Sequence, residues 1–204
     1  FGNIPIISEE DFSKCKNIKR PKKYWIIDPI DGTGSFVKGF NSYVTQAALI
    51  QNNTIVLSAV HAPALNETFT ATKNKGAFKN GKRIFIKNKK NISNTTIIDN
   101  YPKPLGVTKK IFNKFKIKKY FESGSIGLKI CRIADGTANI FIKNVKLFDW
   151  DIAAPYLILN ESKGFLKDYN GKKFKFIGNL KKRGLLATSN LSHSKKILNY
   201  LHKK

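Results

Sequence analysis

Two short acidic segments lie far apart in this chain, and any fold it adopts has to place both: Trp25-Ile26-Ile27-Asp28-Pro29-Ile30-Asp31-Gly32-Thr33 and Asp149-Trp150-Asp151-Ile152-Ala153-Ala154. With 13 acidic residues against 38 basic ones, acids clustered beside apolar runs are not a by-product of composition. Asp28 and Asp31 flank a Pro-Ile pair at the end of an apolar run, where a strand would surface into a turn, and Gly32-Thr33 is placed to start a helix. That arrangement suits a hard divalent cation and a phosphate together. Mg²⁺ takes oxygen ligands in near-octahedral geometry and keeps waters, so one or two carboxylates plus phosphate oxygens make a typical shell. Unpaired backbone N–H groups at a helix start can hold the phosphate. Each segment alone also has a plainer reading: Asp-Pro-x-Asp-Gly is ordinary turn chemistry, and Asp149 or Asp151 ahead of an apolar helix would cap it.

Three stretches, Glu9-Glu10, Trp25 to Lys38 and Trp150-Asp151, resemble in order and spacing the metal-binding motifs of the lithium-sensitive, Mg²⁺-dependent phosphomonoesterases. That superfamily includes the inositol monophosphatases, the 3′(2′),5′-bisphosphate nucleotidases and the fructose-1,6-bisphosphatases, and the resemblance runs over nearly the whole chain. It implies an α/β fold, the layered α-β-α-β-α sandwich of the sugar phosphatases, and a cofactor of two or three Mg²⁺ ions. Carried over by position, Asp28 would bridge metals, with the Ile30 carbonyl and Glu9 completing the first site and Asp31 and Asp151 holding the second. Thr33 would hydrogen-bond the attacking water, and Glu9 would orient it or accept its proton. Backbone N–H groups around Gly32, Thr33 and Gly34 would bind the phosphate. Glu10 and Asp149 are candidates for supporting roles around the metals.

Substrate choice is expected from the second half. Gly124-Ser125 opens a helix that continues Ile126-Gly127-Leu128-Lys129-Ile130-Cys131, and the Gly-Ser start followed by Leu-Lys-x-Cys resembles the bisphosphate nucleotidase branch more than the inositol branch. A Ser hydroxyl and bare backbone at a helix start can meet a ribose or a second phosphate. Lys129 would be a charge partner for that ligand or a structural ion pair. The expected substrate is therefore a small phosphate monoester, adenosine 3′,5′-bisphosphate, hydrolysed to AMP and phosphate in the recycling of a by-product of sulfate activation. Inositol 1-phosphate or a related sugar phosphate is the alternative, and a basic nucleic-acid-binding protein with structural carboxylates is a third reading. Two departures from the family pattern stand out: no Lys-Glu pair follows Gly32-Thr33, as it often does in nucleotidases, and Lys163-Gly164 stands where relatives usually have two small residues.

At 204 residues and 41% apolar content the chain can fill a core of one large or two small domains. It opens on Phe1-Gly2-Asn3 and contains no Met, whereas the resemblance implies a helical segment ahead of Ser8-Glu9-Glu10, so it reads as a fragment. The formal charge of +25 is spread among Asn and Ile along the whole length, which favours a solvated surface over a dedicated nucleic-acid face. Such a field still attracts small polyanions. Cys15 and Cys131 do not make a disulfide framework, and a reducing, cytoplasmic setting is expected, which leaves peripheral membrane association open. Nothing approaches an apolar run of about 18 residues, so no membrane span is expected. A homodimer is an expectation of the resemblance alone.

Periodicity predicts a strand over Ile4 to Ile7 that delivers Glu9 and Glu10, a basic loop from Lys14 to Lys23, and a strand from Tyr24 to Ile27. A helical turn over Ser35 to Val37 is closed by Gly39. Strands follow over Tyr43 to Ile50, Ile55 to His61 and Glu67 to Thr72, and Asn80-Gly81 signals a hairpin. The polar stretch Lys87 to Asn94 reads as a crossing between a β-rich half, residues 1–95, and an α/β half, residues 96–204. In that second half helices are predicted over Lys109 to Phe115, Ser125 to Ala134, Asp151 to Glu161 and Ser192 to His202. Its strands are predicted at Tyr120 to Glu122, Ala138 to Ile142, Gly164 to Leu166 and Leu185 to Thr188. His61, His193 and His202 fall in these elements with no catalytic partner in view.

Overall fold

A computed structural model of the chain describes residues 3–11, 20–87 and 89–202. Cys15 and most of the predicted basic loop lie outside the described residues. Strands β1 (Ile6–Ser8), β2 (Lys23–Asp31), β3 (Val44–Gln51), β4 (Thr54–Ala62), β5 (Glu67–Thr72), β6 (Gly76–Lys79) and β7 (Lys82–Ile84) form one sheet in sequence order, with the short helix α1 (Thr33–Val37) between β2 and β3. The second half adds β8 (Thr96–Asp99), α2 (Gly106–Lys114), β9 (Lys119–Glu122), α3 (Ile126–Ala134), β10 (Ile140–Phe148), α4 (Asp149–Glu161), β11 (Phe165–Asp168), β12 (Lys181–Thr188) and α5 (Leu191–Leu201). Its strands make a second sheet in the order β11-β12-β10-β8-β9, in which β10, β8 and β9 run parallel.

Burial explains the layers. In the second sheet alternate residues feed different cores: Ile98, Phe141, Leu185 and Ala187 join the core shared with the first sheet, while Ile97, Ile140, Ile142 and Leu186 pack with Ile111 of α2 and Ile197 of α5. Because successive strand residues point to opposite faces, this sheet is covered on both sides. Helices α3 and α4 lie between the sheets, α4 packing across β2 to β6 as well as against β10 and β11. Apolar residues all round α4, with Trp150, Ile152, Ala154, Leu157 and Ile158 buried, suit that central place. The described residues therefore form β-α-β-α layers, the expected sandwich without an outer helical layer on the first sheet. One continuous core joins the two halves.

The predicted elements recur with four informative differences. The Asn80-Gly81 hairpin forms, both residues with positive φ of 47° and 74° as a type I′ turn requires. Helix α4 begins at Asp149, before the expected start, and β10 runs on to Phe148 through an irregularity between Lys143 and Lys146. Strand β8 is absent from the periodicity reading; Thr96-Ile97-Ile98-Asp99, with only two apolar residues and burial on both sides, shows no alternation by which to find it. The fourth difference corrects the first acidic motif: Asp28-Pro29-Ile30-Asp31 is not a turn after the strand but the end of β2 itself.

There the pairing with β3 slips. Asp28 stands opposite Gln46 and Asp31 opposite Val44, so three steps along β2 match two along β3. This is a β-bulge, and Pro29, which has no N–H to give a ladder, is suited to it. In a regular strand residues three apart face opposite sides of the sheet. The extra residue returns Asp31 to the inner face, so that Tyr24, Ile26, Asp28 and Asp31 are all buried there.

Candidate active site

Strand β2 thus aims Asp28 and Asp31 at the layer between the sheets, and the N-terminus of α4 brings Asp151 to the same place. Each of these aspartates is fixed by a backbone donor, local for Asp28 and Asp151 and from the start of α3 for Asp31. The Ile30 N–H donates to Asp28 Oδ1 over 3.0 Å, the Gly127 N–H to Asp31 Oδ2 over 2.6 Å, and the Phe148 N–H to Asp151 Oδ2 over 2.6 Å. Asp151 therefore caps its own helix with one oxygen, as an acid at the third helical position does in a capping box, while its charge acts on Asp28. Capping and a place in the site are not alternatives for this residue. Glu9, just past the end of β1, stands at the exposed rim.

The electrostatics show that these acids face one another. Asp28 is pushed up to about 8, first by burial and then by the charges of Asp31, Glu9 and Asp151. Asp151 is likewise raised to about 8, first by burial and then by Asp31, with Glu9 and Asp149 contributing. Glu9 is raised by burial, by Glu10 and by Asp31. Asp31 is raised by burial, against the opposing pull of Ser125, Gly127, Lys129 and Ile126. No cation of the described residues is among the groups that shift Asp28, Asp151 and Glu9, and the one that acts on Asp31 is the buried Lys129, so most of the negative charge of the cluster is left unbalanced. Among the described residues no three acidic, His or Cys side chains make a ready-made cation cage. The donor set itself fits a hard divalent cation: it is all oxygen, with no thiolate or imidazole, and its negative charge is locally unbalanced.

At the end of β2, Gly32 adopts a left-handed conformation with φ 91°. A Cβ there would stand 3.2 Å from both Cα and Cβ of Ser125, so glycine lets this turn close against α3. The Ser35 and Phe36 N–H groups turn back to the Gly32 carbonyl, so the backbone at Thr33 and Gly34 lies ahead of the first internal donors of α1. The Thr33 hydroxyl donates to the Ile30 carbonyl over 3.1 Å.

Ser125, expected at the substrate, and Lys129, for which a ligand role and a structural role both stood open, are turned inward. Ser125 is 1% exposed; its hydroxyl donates to Asp31 Oδ2 over 2.5 Å and accepts the Leu128 N–H over 2.9 Å. It caps α3 and holds Asp31, and its position one residue before the helix turns it inward. Lys129 is also buried, its ammonium donating to the carbonyls of Ser123 and Gly124 and lying 5.0 Å from the centre of the Phe141 ring. It fastens the loop before α3, in line with the structural one of its two readings. Burial lowers its pKa to about 8, against the favourable charges of Asp31 and Asp99.

The remaining candidates divide. Gly124 lines a pocket of about 510 Å³ beside the carboxylates, together with Gly32, Gly34, Lys38, Asn100 and Glu122. Glu10 is exposed and bears on the site through its charge on Glu9. Asp149 faces away: it is fully buried and paired with Arg20 at 2.6 Å and Lys182 at 3.0 Å, anchoring the start of α4. The three histidines make structural contacts, His61 with Thr68, His193 with the Lys90 carbonyl and His202 with the Tyr169 carbonyl. Sequence reasoning missed Gln46, which is 1% exposed, sits opposite Asp28 and donates to the Asp151 carbonyl over 3.3 Å. Its signal was present: a polar residue at an inward position of an alternating strand, between Val44 and Ala48.

Comparison with known proteins agrees with this geometry. The model of the inositol monophosphatase family matches residues 1–204. A fructose-1,6-bisphosphatase/inositol-1-monophosphatase of Thermotoga maritima is 32% identical over 175 residues, covering 85% of this chain and 65% of the relative. A 3′(2′),5′-bisphosphate nucleotidase CysQ of Haemophilus influenzae is 31% identical over 182 residues, covering 82% of this chain and 64% of the relative. The chain thus spans just under two thirds of the length of these relatives. A solved Thermotoga maritima IMPase superposes with a TM-score of 0.82 at 28% identity, covering 98% of this chain and 76% of that one. By a family match that runs its whole length, the chain belongs to the inositol monophosphatase family.

Proposed function

We propose that this protein is a Mg²⁺-dependent phosphomonoesterase whose substrate is adenosine 3′,5′-bisphosphate, hydrolysed at the 3′-phosphate to AMP and inorganic phosphate. The observation that carries the catalytic part is the convergence of Asp28, Asp31, Asp151 and Glu9 beside the Gly32 turn: the charges of Asp31, Glu9 and Asp151 raise Asp28, those of Asp31 and Glu9 raise Asp151, and Glu9 is hydrogen-bonded to Asp28. Asp28, the Ile30 carbonyl and Glu9 would hold one ion, and Asp31 and Asp151 a second. When bound, the metals would neutralise phosphate charge and make water acidic enough to supply hydroxide near pH 7.

The chain's own groups then do the rest. Thr33 has committed its hydroxyl proton to the Ile30 carbonyl, so its oxygen meets water as an acceptor and turns a water lone pair toward phosphorus. Glu9, raised in pKa and open to the rim, takes the proton that the water loses. As the new P–O bond forms, the ester P–O bond on the opposite side breaks, and the leaving alkoxide collects a proton from solvent. Backbone N–H groups around Gly32 to Gly34 hold the phosphate oxygens during the transfer. No covalent phosphoenzyme is needed.

The choice of a nucleotide draws on the likeness to CysQ and on the polar pocket next to the carboxylates. The likeness to an enzyme named for inositol 1-phosphate and fructose 1,6-bisphosphate supports a second reading, a sugar or inositol phosphatase with the same metals. Phosphate release from adenosine 3′,5′-bisphosphate, inositol 1-phosphate and fructose 1,6-bisphosphate, with Mg²⁺ and with chelator, tests both. Chelator-sensitive release that favours the nucleotide is expected. Release unaffected by chelator would refute the metal mechanism, and a preference for inositol 1-phosphate would move the substrate assignment.

A further inference from the structure

The pocket beside the carboxylates has two walls of different chemistry. One is the segment that follows α1, contributing Lys38, Phe40, Asn41 and Ser42. The other is formed by Asn100 and by Glu122 to Gly124, at the carboxyl ends of the adjacent parallel strands β8 and β9. Crevices at the carboxyl ends of parallel strands are a recurrent place for ligands in α/β proteins. A volume of about 510 Å³ is in the range that takes a small organic molecule. The first wall is held in place from several sides: the Gly39 N–H donates to the Phe36 carbonyl, the Phe40 N–H to the Ser35 carbonyl, and the Ser125 N–H to the Ser42 carbonyl.

On that fixed segment Lys38 has no ion-pair partner among the described residues, and Phe40 is 61% exposed. Across the pocket, Asn100 is held by Lys143, whose ammonium bridges Asn100 and Asp99. That cation is thereby neutralised, leaving Lys38 as the open positive charge of the pocket and Glu122 as its carboxylate. A lone ammonium is matched by an anionic group. An exposed ring is matched by a flat partner, and base-on-aromatic contacts serve every base. Glu122 and the amides suit hydroxyl groups.

We infer that Lys38 and Phe40 determine specificity: Lys38 binds a second anionic group on the leaving alcohol and Phe40 stacks on its base, so the pocket takes a nucleoside bearing a phosphate besides the scissile one. This rests on the reading of the site as a phosphomonoesterase and names the features that select its substrate. An inositol carrying a single phosphate would place nothing opposite Lys38 and nothing flat against Phe40.

The test compares kcat/KM for adenosine 3′,5′-bisphosphate, adenosine 3′-monophosphate and inositol 1-phosphate in the wild type, Lys38→Gln and Phe40→Ala. Lys38→Gln is expected to lower the preference for bisphosphate over 3′-monophosphate about 10-fold or more. Phe40→Ala is expected to lower the preference for adenosine 3′-monophosphate over inositol 1-phosphate by a similar factor. Ratios unchanged within about twofold in these variants overturn the assignment, as does a wild type that favours inositol 1-phosphate, and neither result touches the metal mechanism. If the wild type hydrolyses none of the three, the phosphomonoesterase reading fails. The subsite is then judged by calorimetry with adenosine 3′,5′-bisphosphate: an affinity about 10-fold weaker in Lys38→Gln upholds it, and equal affinity overturns it.

Discussion

The hydroxyl of Ser125 donates to Asp31 over 2.5 Å and accepts from the Leu128 N–H over 2.9 Å, so one side chain both caps a helix and fixes a carboxylate that arrives from the other sheet. The start of α3 and the end of β2 are thereby a single unit. Ser125→Ala removes both contacts. Stability is expected to fall by about 1–2 kcal/mol, the usual effect of losing a cap. Mg²⁺ affinity is expected to fall about 10–100-fold, the scale seen when the support of a ligand is lost. Denaturant unfolding and titration calorimetry read the two effects separately, and Ser125→Thr should restore most of each. Wild-type Mg²⁺ affinity in Ser125→Ala would show that Asp31 does not depend on this contact.

Gly127 makes the complementary case, because a side chain there would disturb the site without harming the helix. Its N–H donates to Asp31, and an added Cβ would stand 2.5 Å from Gln46 Oε1 and 3.0 Å from Asp31 Oδ2. Both side chains are buried and have little room to move. Alanine in place of a helical glycine gains about 1 kcal/mol of helix propensity, which offsets part of the strain. With overpacking of a buried site costing about 1–3 kcal/mol, Gly127→Ala is expected to lose up to about 2 kcal/mol of stability after the propensity gain, while binding Mg²⁺ about 10-fold more weakly. Calorimetry showing unchanged metal affinity would mean that Asp31 and Gln46 shift without consequence.

How far the site was legible follows from what periodicity can and cannot encode. Asp28, Asp31 and Asp151 stood out because acids are scarce in this chain and here adjoin apolar runs. Their convergence was expected from the family resemblance alone; periodicity could not show it, because it requires a bulge to keep Asp28 and Asp31 on one face, and a strand pattern of period two carries no mark of an extra residue. Ser125 and Lys129 were visible as residues of unusual type near a helix start, yet which way each points depends on packing against β2 and Phe141. Strand β8 escaped because it is buried on both faces. Gln46 was legible in principle, as a polar side chain in an inward strand position.

Asp149 anchors the start of α4 through two buried ion pairs. Its carboxylate, with no exposed surface, lies 2.6 Å from Arg20 and 3.0 Å from Lys182, whose side chains are 7% and 16% exposed. Removing the carboxylate strands two cations in a poorly hydrated place. Asp149→Ala is expected to lower unfolding stability by about 3–5 kcal/mol, the range for breaking a buried ion pair from one side. A loss below about 1 kcal/mol in denaturant titration would place this pair with solvent-screened surface pairs instead.

The last prediction concerns pH. Asp28 and Asp151 have folded-state values of about 8, against an ordinary 3.8 for an unfolded aspartate. Between those limits the folded, metal-free protein holds protons that the unfolded chain has released. Stability contributed by these groups therefore declines as pH rises from about 4 to about 8, and the decline is complete above that window. Asp28→Asn removes one such group, so its unfolding temperature in chelator should fall less steeply than that of the wild type over the same range. Mg²⁺ must displace the same protons to bind. Its affinity should therefore rise with pH up to about 8 and then level off, with roughly one to two protons released per binding event near pH 7. Calorimetry in buffers of different ionisation heat counts them. Binding at pH 7 with no proton release, together with equal pH slopes for wild type and Asp28→Asn, would show that these carboxylates do not share a site.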